Sequence, residues 1–160
     1  MNAKDLMTGD WVCYCKPNGY YCKVLGIRPS SDGDEDNYAI MAKRDEKDFL
    51  SEQNKKFYEL FSVNILHPIP LTIEILQNNG FTLQDSWYRL LSGDDEIAVQ
   101  LPKGDVIYPY SSIEYQKLIY NPEDVTEVEY GTSMTFKGNI SVHQLQHALR
   151  LCGIEKEIEI

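Results

Sequence analysis

Apolar residues along this chain fall mostly in short alternating runs broken by Gly, Pro, Asn and Asp, and only two stretches keep a helical period from a start signal to a stop signal. Trp11 to Cys15 and Tyr20 to Ile27 flank Pro17-Asn18-Gly19, which predicts an opening hairpin. Tyr38 to Ala42 is a further strand candidate. Phe57 to Leu66 matches a helical period in part, but its length favours a strand for Leu60 to Leu66. Lys43 to Lys56 has only Phe49 and Leu50 as apolar anchors and reads as a short exposed helix or an excursion between strands.

His67-Pro68-Ile69-Pro70 marks the expected lobe boundary, because two prolines force an extended path and withhold ladder donors. Thr72 then N-caps a short helix, Ile73 to about Asn79. Leu71 can staple to Leu76 across its first turn, and Gly80 supplies its left-handed end. Trp87 to Leu91 and Glu96 to Leu101 flank Ser92-Gly93-Asp94-Asp95 as a hairpin. Val106 to Tyr110 is demoted by Pro109, Ile113 to Tyr120 has no clean face, and Val125 to Tyr130 is a strand. Gly131 to Asn139 reads as a turn-rich connection.

Ser141 to Gly153 has the strongest helical signal. Ser141 and Gln144 make a capping box, Gly153 supplies the stop, and Val142, Leu145, Ala148, Leu149 and Cys152 share one side. Glu155 to Ile160 alternates like a final strand. The expected architecture is α+β. An SH3-like small β-barrel lobe at 1–69, by analogy with its L-x-x-G-D-W-V opening, precedes an antiparallel sheet covered by two short helices at 70–160.

Charge narrows the function classes. Across 160 residues, Lys+Arg 15 against Asp+Glu 25 gives a net charge of −10. That balance works against phosphate binding, which needs Lys and Arg to release counterions, so nucleic acid is not the expected partner. No apolar run approaches the ~20 residues that cross a bilayer, and M-N-A-K-D-L-M-T-G-D-W is too polar for a signal peptide. The expected compartment is the cytoplasm, with no membrane partner and the cysteines as thiols.

Candidate chemistry is sparse. His143 and His147 stand four apart on a helix, a metal-gripping spacing, but the H-E-x-x-H general base is replaced by Gln144. On the wheel His143, His147 and Arg150 fall opposite the apolar side, facing solvent or a partner, and they are the candidate binding residues. Cys13, Cys15 and Cys22 invite a zinc reading, but the C-x₂₋₄-C pairs of structural sites are missing, and small apolar core residues are the better description. Asp32, Asp34 and Asp36 start like a calcium loop, which Asn37 and Lys43 then break. No phosphate-binding glycine loop and no nucleophile elbow occurs. No catalytic residue, metal or cofactor is assigned.

Three stretches together carry a resemblance: K-D-L-M-T-G-D-W-V near the start, H-P-I-P-L-T-I-E-I-L-Q-N-N-G-F in the middle, and V-H-Q-L-Q-H-A-L-R-L-C-G-I-E-K-E-I-E-I at the end. The set resembles a group of small uncharacterised proteins of Bacteroides-type gut bacteria and their prophages and mobile elements. It covers the two ends and the hinge, while 29–56 and 93–139 read as variable. The resemblance implies a genomic context, an accessory protein of a phage or mobile element, and assigns no functional residue. The expected function is accordingly a non-enzymatic adaptor that binds a macromolecule, protein in the first instance. An acidic decoy for a nucleic-acid-binding protein is the alternative. A metal-dependent hydrolase using His143 and His147 is a more distant one.

Overall fold

The computed structural model describes residues 5–14, 20–29, 37–43, 59–102, 110–119 and 127–160, which separate at Ile69/Pro70 into two compact units. In the first unit β1 (Trp11–Tyr14) pairs antiparallel with β2 (Tyr20–Pro29), and Val12 stands opposite Cys22. The sheet is completed by β3 (Asn37–Lys43), β4 (Glu59–Ser62) and β5 (Leu66–Pro68), in the order β4-β3-β2-β1-β5. Leu6, Val12, Cys22, Val24, Val63 and Leu66 form the core, with Tyr14 and Ile27 packed against it. Leu25 is extra in the β2–β3 register, between the Val24 and Gly26 partners. That bulge flips the alternation, which is how Ile27 joins Val24 on the core side. Buried Asp10 fixes the approach to β1: its Oδ2 accepts the Met7 N–H at 2.7 Å and its carbonyl accepts Val24 N–H at 2.8 Å.

The second unit begins with α1 (Ile73–Asn78). Thr72 Oγ1 accepts the Ile75 N–H at 3.3 Å, and Leu71 and Leu76 are both buried at the staple positions. Gly80, at φ +81°, ends the helix where an L side chain would be strained. Then follow β6 (Thr82–Gln84), β7 (Trp87–Ser92), β8 (Asp95–Gln100), β9 (Tyr110–Ile119) and β10 (Glu127–Lys137), a second antiparallel sheet in the order β10-β9-β8-β7-β6. Cross-strand partners share a face. Tyr88, Val99, Ile113 and Met134 form one row of the inner face, and Leu90, Ile97, Tyr115 and Thr132 form the next. Val99, Ile97 and Ile113 are fully buried there.

Alongside that buried inner face, α1, α2 (Val142–Leu151) and the tail that follows α2 each bury an apolar side, with Leu76, Leu145, Leu149 and Ile158 among the most buried side chains. A Cβ at Gly80 would lie 3.9 Å from Leu90 Cδ1, which sets the end of α1 on the sheet. The tail is held by two buried side-chain amides. Gln146 Nε2 donates to the Lys156 carbonyl and its Oε1 accepts the Ile158 N–H, both at 2.7 Å. Asn79 Nδ2 donates to the Glu159 carbonyl at 2.7 Å, and its Oδ1 accepts the Glu159 N–H at 2.8 Å. Ile154 and Ile158 are thereby buried.

Several expectations need correction. The protein is mostly β, with two antiparallel sheets, rather than α+β with an N-terminal SH3-like barrel. Closure would require β4 to meet β5, but these short strands are the opposite edges of an open sheet among the described residues. The two α-helices described are minor, and α1, at six residues, has fewer than two turns at about 3.6 residues each. Leu60 to Leu66 is two strands, interrupted by a 3-10 turn at Val63–Ile65 that Ser62 caps by accepting the Asn64 N–H. Gly131 to Lys137 continues β10 rather than turning, and the tail finds side-chain amides in place of a strand neighbour. The Lys43 to Lys56 ambiguity lies, apart from Lys43 itself, outside the described residues.

Two outcomes follow from these contacts. Gln146→Ala and Asn79→Ala each strand buried tail backbone groups, so each is expected to lower stability by about 1–3 kcal/mol, with faster amide exchange at Ile158 and Glu159 than in the unmodified chain. The two-residue turn between β6 and β7 places Asp85 at φ 47° and Ser86 at φ 75°, where Asn-Gly is the comfortable pair. Asp85→Asn combined with Ser86→Gly is expected to gain roughly 1 kcal/mol, seen as a higher denaturation midpoint.

Candidate functional site

Most of the polar side of α2 is used by the fold. Ser141 N–H donates to Gln144 Oε1 at 2.9 Å, and Ser141 Oγ lies 2.9 Å from the same oxygen. An amide oxygen only accepts, so the single hydroxyl proton goes to Gln144. His143 Nδ1, at 2.9 Å from Oγ, is then the donor toward Ser141. This is the reverse of a base that takes a serine proton. The pair serves as a buried cap.

The expectation that His143 faces solvent is corrected. His143 is 6% exposed and Gln146 4%. The wheel assumed one cover, the sheet, whereas the tail adds a second along the Gln146 side. The helical spacing does bring His143 and His147 together, with ring centroids 5.8 Å apart and edge to face. His147 and Arg150 are half-buried, and the residue most open to solvent on α2 is Leu151. The trio is therefore not a single exposed surface.

The sulfur candidates separate as well. Val12 is opposite Cys22 and Cys13 is opposite Tyr21, so Cys13 and Cys22 lie on opposite faces of the first sheet. Cys15 and the aspartates at 32, 34 and 36 lie outside the described residues. Among the described residues no group of three or more His, Cys, Asp or Glu side chains is placed to hold a metal ion. Cys152 ends α2 near Asp95, whose Oδ1 accepts the Tyr115 hydroxyl at 2.7 Å. Burial, reinforced by the Asp95 charge, pushes the Cys152 thiol above its ordinary range. A thiol held protonated is a poor nucleophile.

Among the described residues, the outer face of the second sheet is the less buried of its two faces. Its rows are Arg89, Ala98, Glu114 and Ser133, then Leu91, Glu96, Gln116 and Gly131, with Trp87 and Tyr110 toward the other end. Ala98 is the one buried side chain among them, lying between Arg89 and Glu114. Arg89 Nη1 donates to Glu96 Oε1 across the diagonal between β7 and β8. Gly131 contributes no side chain opposite Gln116. A shallow depression of about 270 Å³ opens there, lined by Glu114, Tyr115, Gln116, Gly131, Thr132 and Ser133. Leu91 and Tyr110 are 57% and 50% exposed. Alternation within β7 and β8 hints at this face, but only the register joins its residues into one surface.

No known protein family, curated protein or solved structure matches the chain. Among the described residues no helix is long and apolar enough to cross a membrane.

The Cys152 environment sets a measurable outcome. Because its pKa is raised in the folded chain, the thiol favours folding below the unfolded value, and that contribution is lost as the pH rises through the folded one. Iodoacetamide labelling followed by peptide mass spectrometry is expected to give a half-point for Cys152 at higher pH in the folded protein than in denaturant. Asp95→Asn should move it only part of the way back, since burial is the larger cause.

Proposed function

We propose that this protein is a non-enzymatic adaptor that binds another protein through the outer face of its second sheet. The observation that carries the reading is the asymmetry of that sheet: its inner face buries Tyr88, Ile97, Val99 and Ile113, while its outer face exposes Leu91 and Tyr110 around a partly buried Arg89–Glu96 pair. Trp87, Leu91 and Tyr110 beside Arg89 match the aromatic, apolar and arginine content of protein interfaces. The Arg89–Glu96 bridge also fixes two polar groups before any partner arrives, which reduces the ordering cost of binding. An accessory role in a phage or mobile element, as the sequence resemblance implies, is compatible with such a module.

The acidic-decoy reading rests on a different observation, the exposure of Glu155, Glu157 and Glu159 at alternate tail positions. The two readings separate experimentally. Cross-linking of the tagged chain in its native cell extract is expected to join a partner to β7–β9 peptides. Leu91→Arg with Glu114→Arg should abolish that capture, while Leu151→Ser leaves it intact. Loss of the partner on Glu155→Gln/Glu157→Gln instead, with release by moderate salt, would favour the decoy. A partner that ignores both variants, or turnover of a small molecule by the purified protein, would overturn the adaptor reading.

A further inference from the structure

Asn79 is followed by Gly80, which makes one of two Asn–Gly pairs in the sequence, the other being Asn18-Gly19. The end of α1 calls for this pair: Asn79 is the C-cap, and Gly80 takes the left-handed position at φ +81° that favours glycine. The same pair is chemically labile, because glycine has no Cβ to shield its backbone nitrogen from the preceding side chain. That nitrogen attacks Asn79 Cγ, the side-chain nitrogen leaves as ammonia, and the displaced proton passes to it through water. Water then opens the resulting succinimide to aspartate or isoaspartate. No oxidant or other reactant is needed.

In the folded chain each participant is held. Asn79 is 3% exposed. The Gly80 N–H, source of the nucleophile, donates to the Gln77 carbonyl at 3.0 Å. The leaving nitrogen, Asn79 Nδ2, donates to the Ile75 carbonyl at 2.8 Å and to the Glu159 carbonyl at 2.7 Å, while Oδ1 accepts the Glu159 N–H at 2.8 Å. Two of these side-chain bonds go to the tail, so the amide can swing toward Gly80 only where the tail lets go. The products cannot restore them. An ionised aspartate has no donor for the Ile75 and Glu159 carbonyls, and isoaspartate reroutes the backbone through the side-chain carbon. We propose that Asn79 is a deamidation site gated by the tail: release of the tail permits the reaction, and the reaction prevents the tail from docking again.

Incubation of the full chain in mildly alkaline buffer, followed by peptide mass spectrometry at residue 79, tests this. The expected result is slow conversion in the folded protein and, in denaturant, conversion at a rate close to that of Asn18, the internal reference. Gln146→Ala removes the neighbouring tail clamp and should speed the folded-state reaction about tenfold, the extra opening that loss of a buried hydrogen-bond partner produces. Leu151→Ser, at an exposed position, should leave the rate unchanged. If Gln146→Ala fails to fold, the unmodified chain in sub-denaturing urea decides, since conversion should rise there together with amide exchange at Glu159. Asn79→Asp, which reproduces one product, should lose amide protection at Ile158 and Glu159 while β7–β9 keep theirs. Conversion as fast in the folded chain as in denaturant would overturn the proposal, as would an Asn79 that stays intact in denaturant. So would a folded-state rate indifferent to Gln146→Ala and to urea, or an Asn79→Asp chain whose tail stays protected.

Discussion

Two amide side chains hold the second unit together. Gln146 on α2 and Asn79 at the end of α1 each offer one donor and one acceptor to the tail, as a neighbouring strand's peptide group would. An extended segment with polar backbone atoms in an apolar setting is stable only if those atoms are paired. With the amides in place, Ile154 and Ile158 stay buried beneath the chain that would otherwise peel away. Asn79 Nδ2 also donates to the Ile75 carbonyl at 2.8 Å, so the same side chain closes the last turn of α1. A helix this short does not persist alone. Its order depends on the tail, and the tail's order depends on both helices.

This arrangement has a chemical consequence. The polar groups that attract attention in the sequence lie on the covered side and are engaged there. Ser141 and Gln144 cap α2, His143 is buried beside them, Asp95 accepts the Tyr115 hydroxyl, and Cys152 is held as a thiol by burial first and by the Asp95 charge second. Every buried side-chain nitrogen or oxygen among the described residues has a hydrogen-bond partner. Serine, histidine, carboxylate and thiol thus occur within one unit, each already directed at a structural partner.

The sequence disclosed the local elements better than their assembly. The α1 caps were legible because Thr72, Leu71, Leu76 and Gly80 act within a few residues of one another. The β7–β8 hairpin was legible for the same reason, with Gly93 between two alternating runs. The second half of β10 was hidden by composition: G-T-S-M-T-F-K-G is rich in turn formers, yet Met134 and Phe136 alternate with exposed Thr and Ser on an edge strand. In β2 the alternation of Cys22 and Val24 slips before Ile27, and only the β3 register shows the bulge responsible. The burial of Gln146 was beyond a helical wheel, because it is bonded to a tail whose own pattern had suggested a strand.

The proposed binding through a sheet face would carry its cost in particular places. Flat strands lose little backbone entropy on binding, since the ladder has already fixed them, so the cost falls on side chains. Here the longest of them are restrained in advance: Arg89 is tied to Glu96, and both flank the buried methyl of Ala98. The depression over Gly131 offers a place for one projecting side chain of a partner, with the Glu114 carboxylate and Gln116 amide at its wall. A cationic or amide-bearing tip suits that wall, because an ionised carboxylate accepts hydrogen bonds and donates none. The partner chemistry that fits is therefore an apolar surface for Leu91 and Tyr110, with a donor reaching toward Glu114 from the same side.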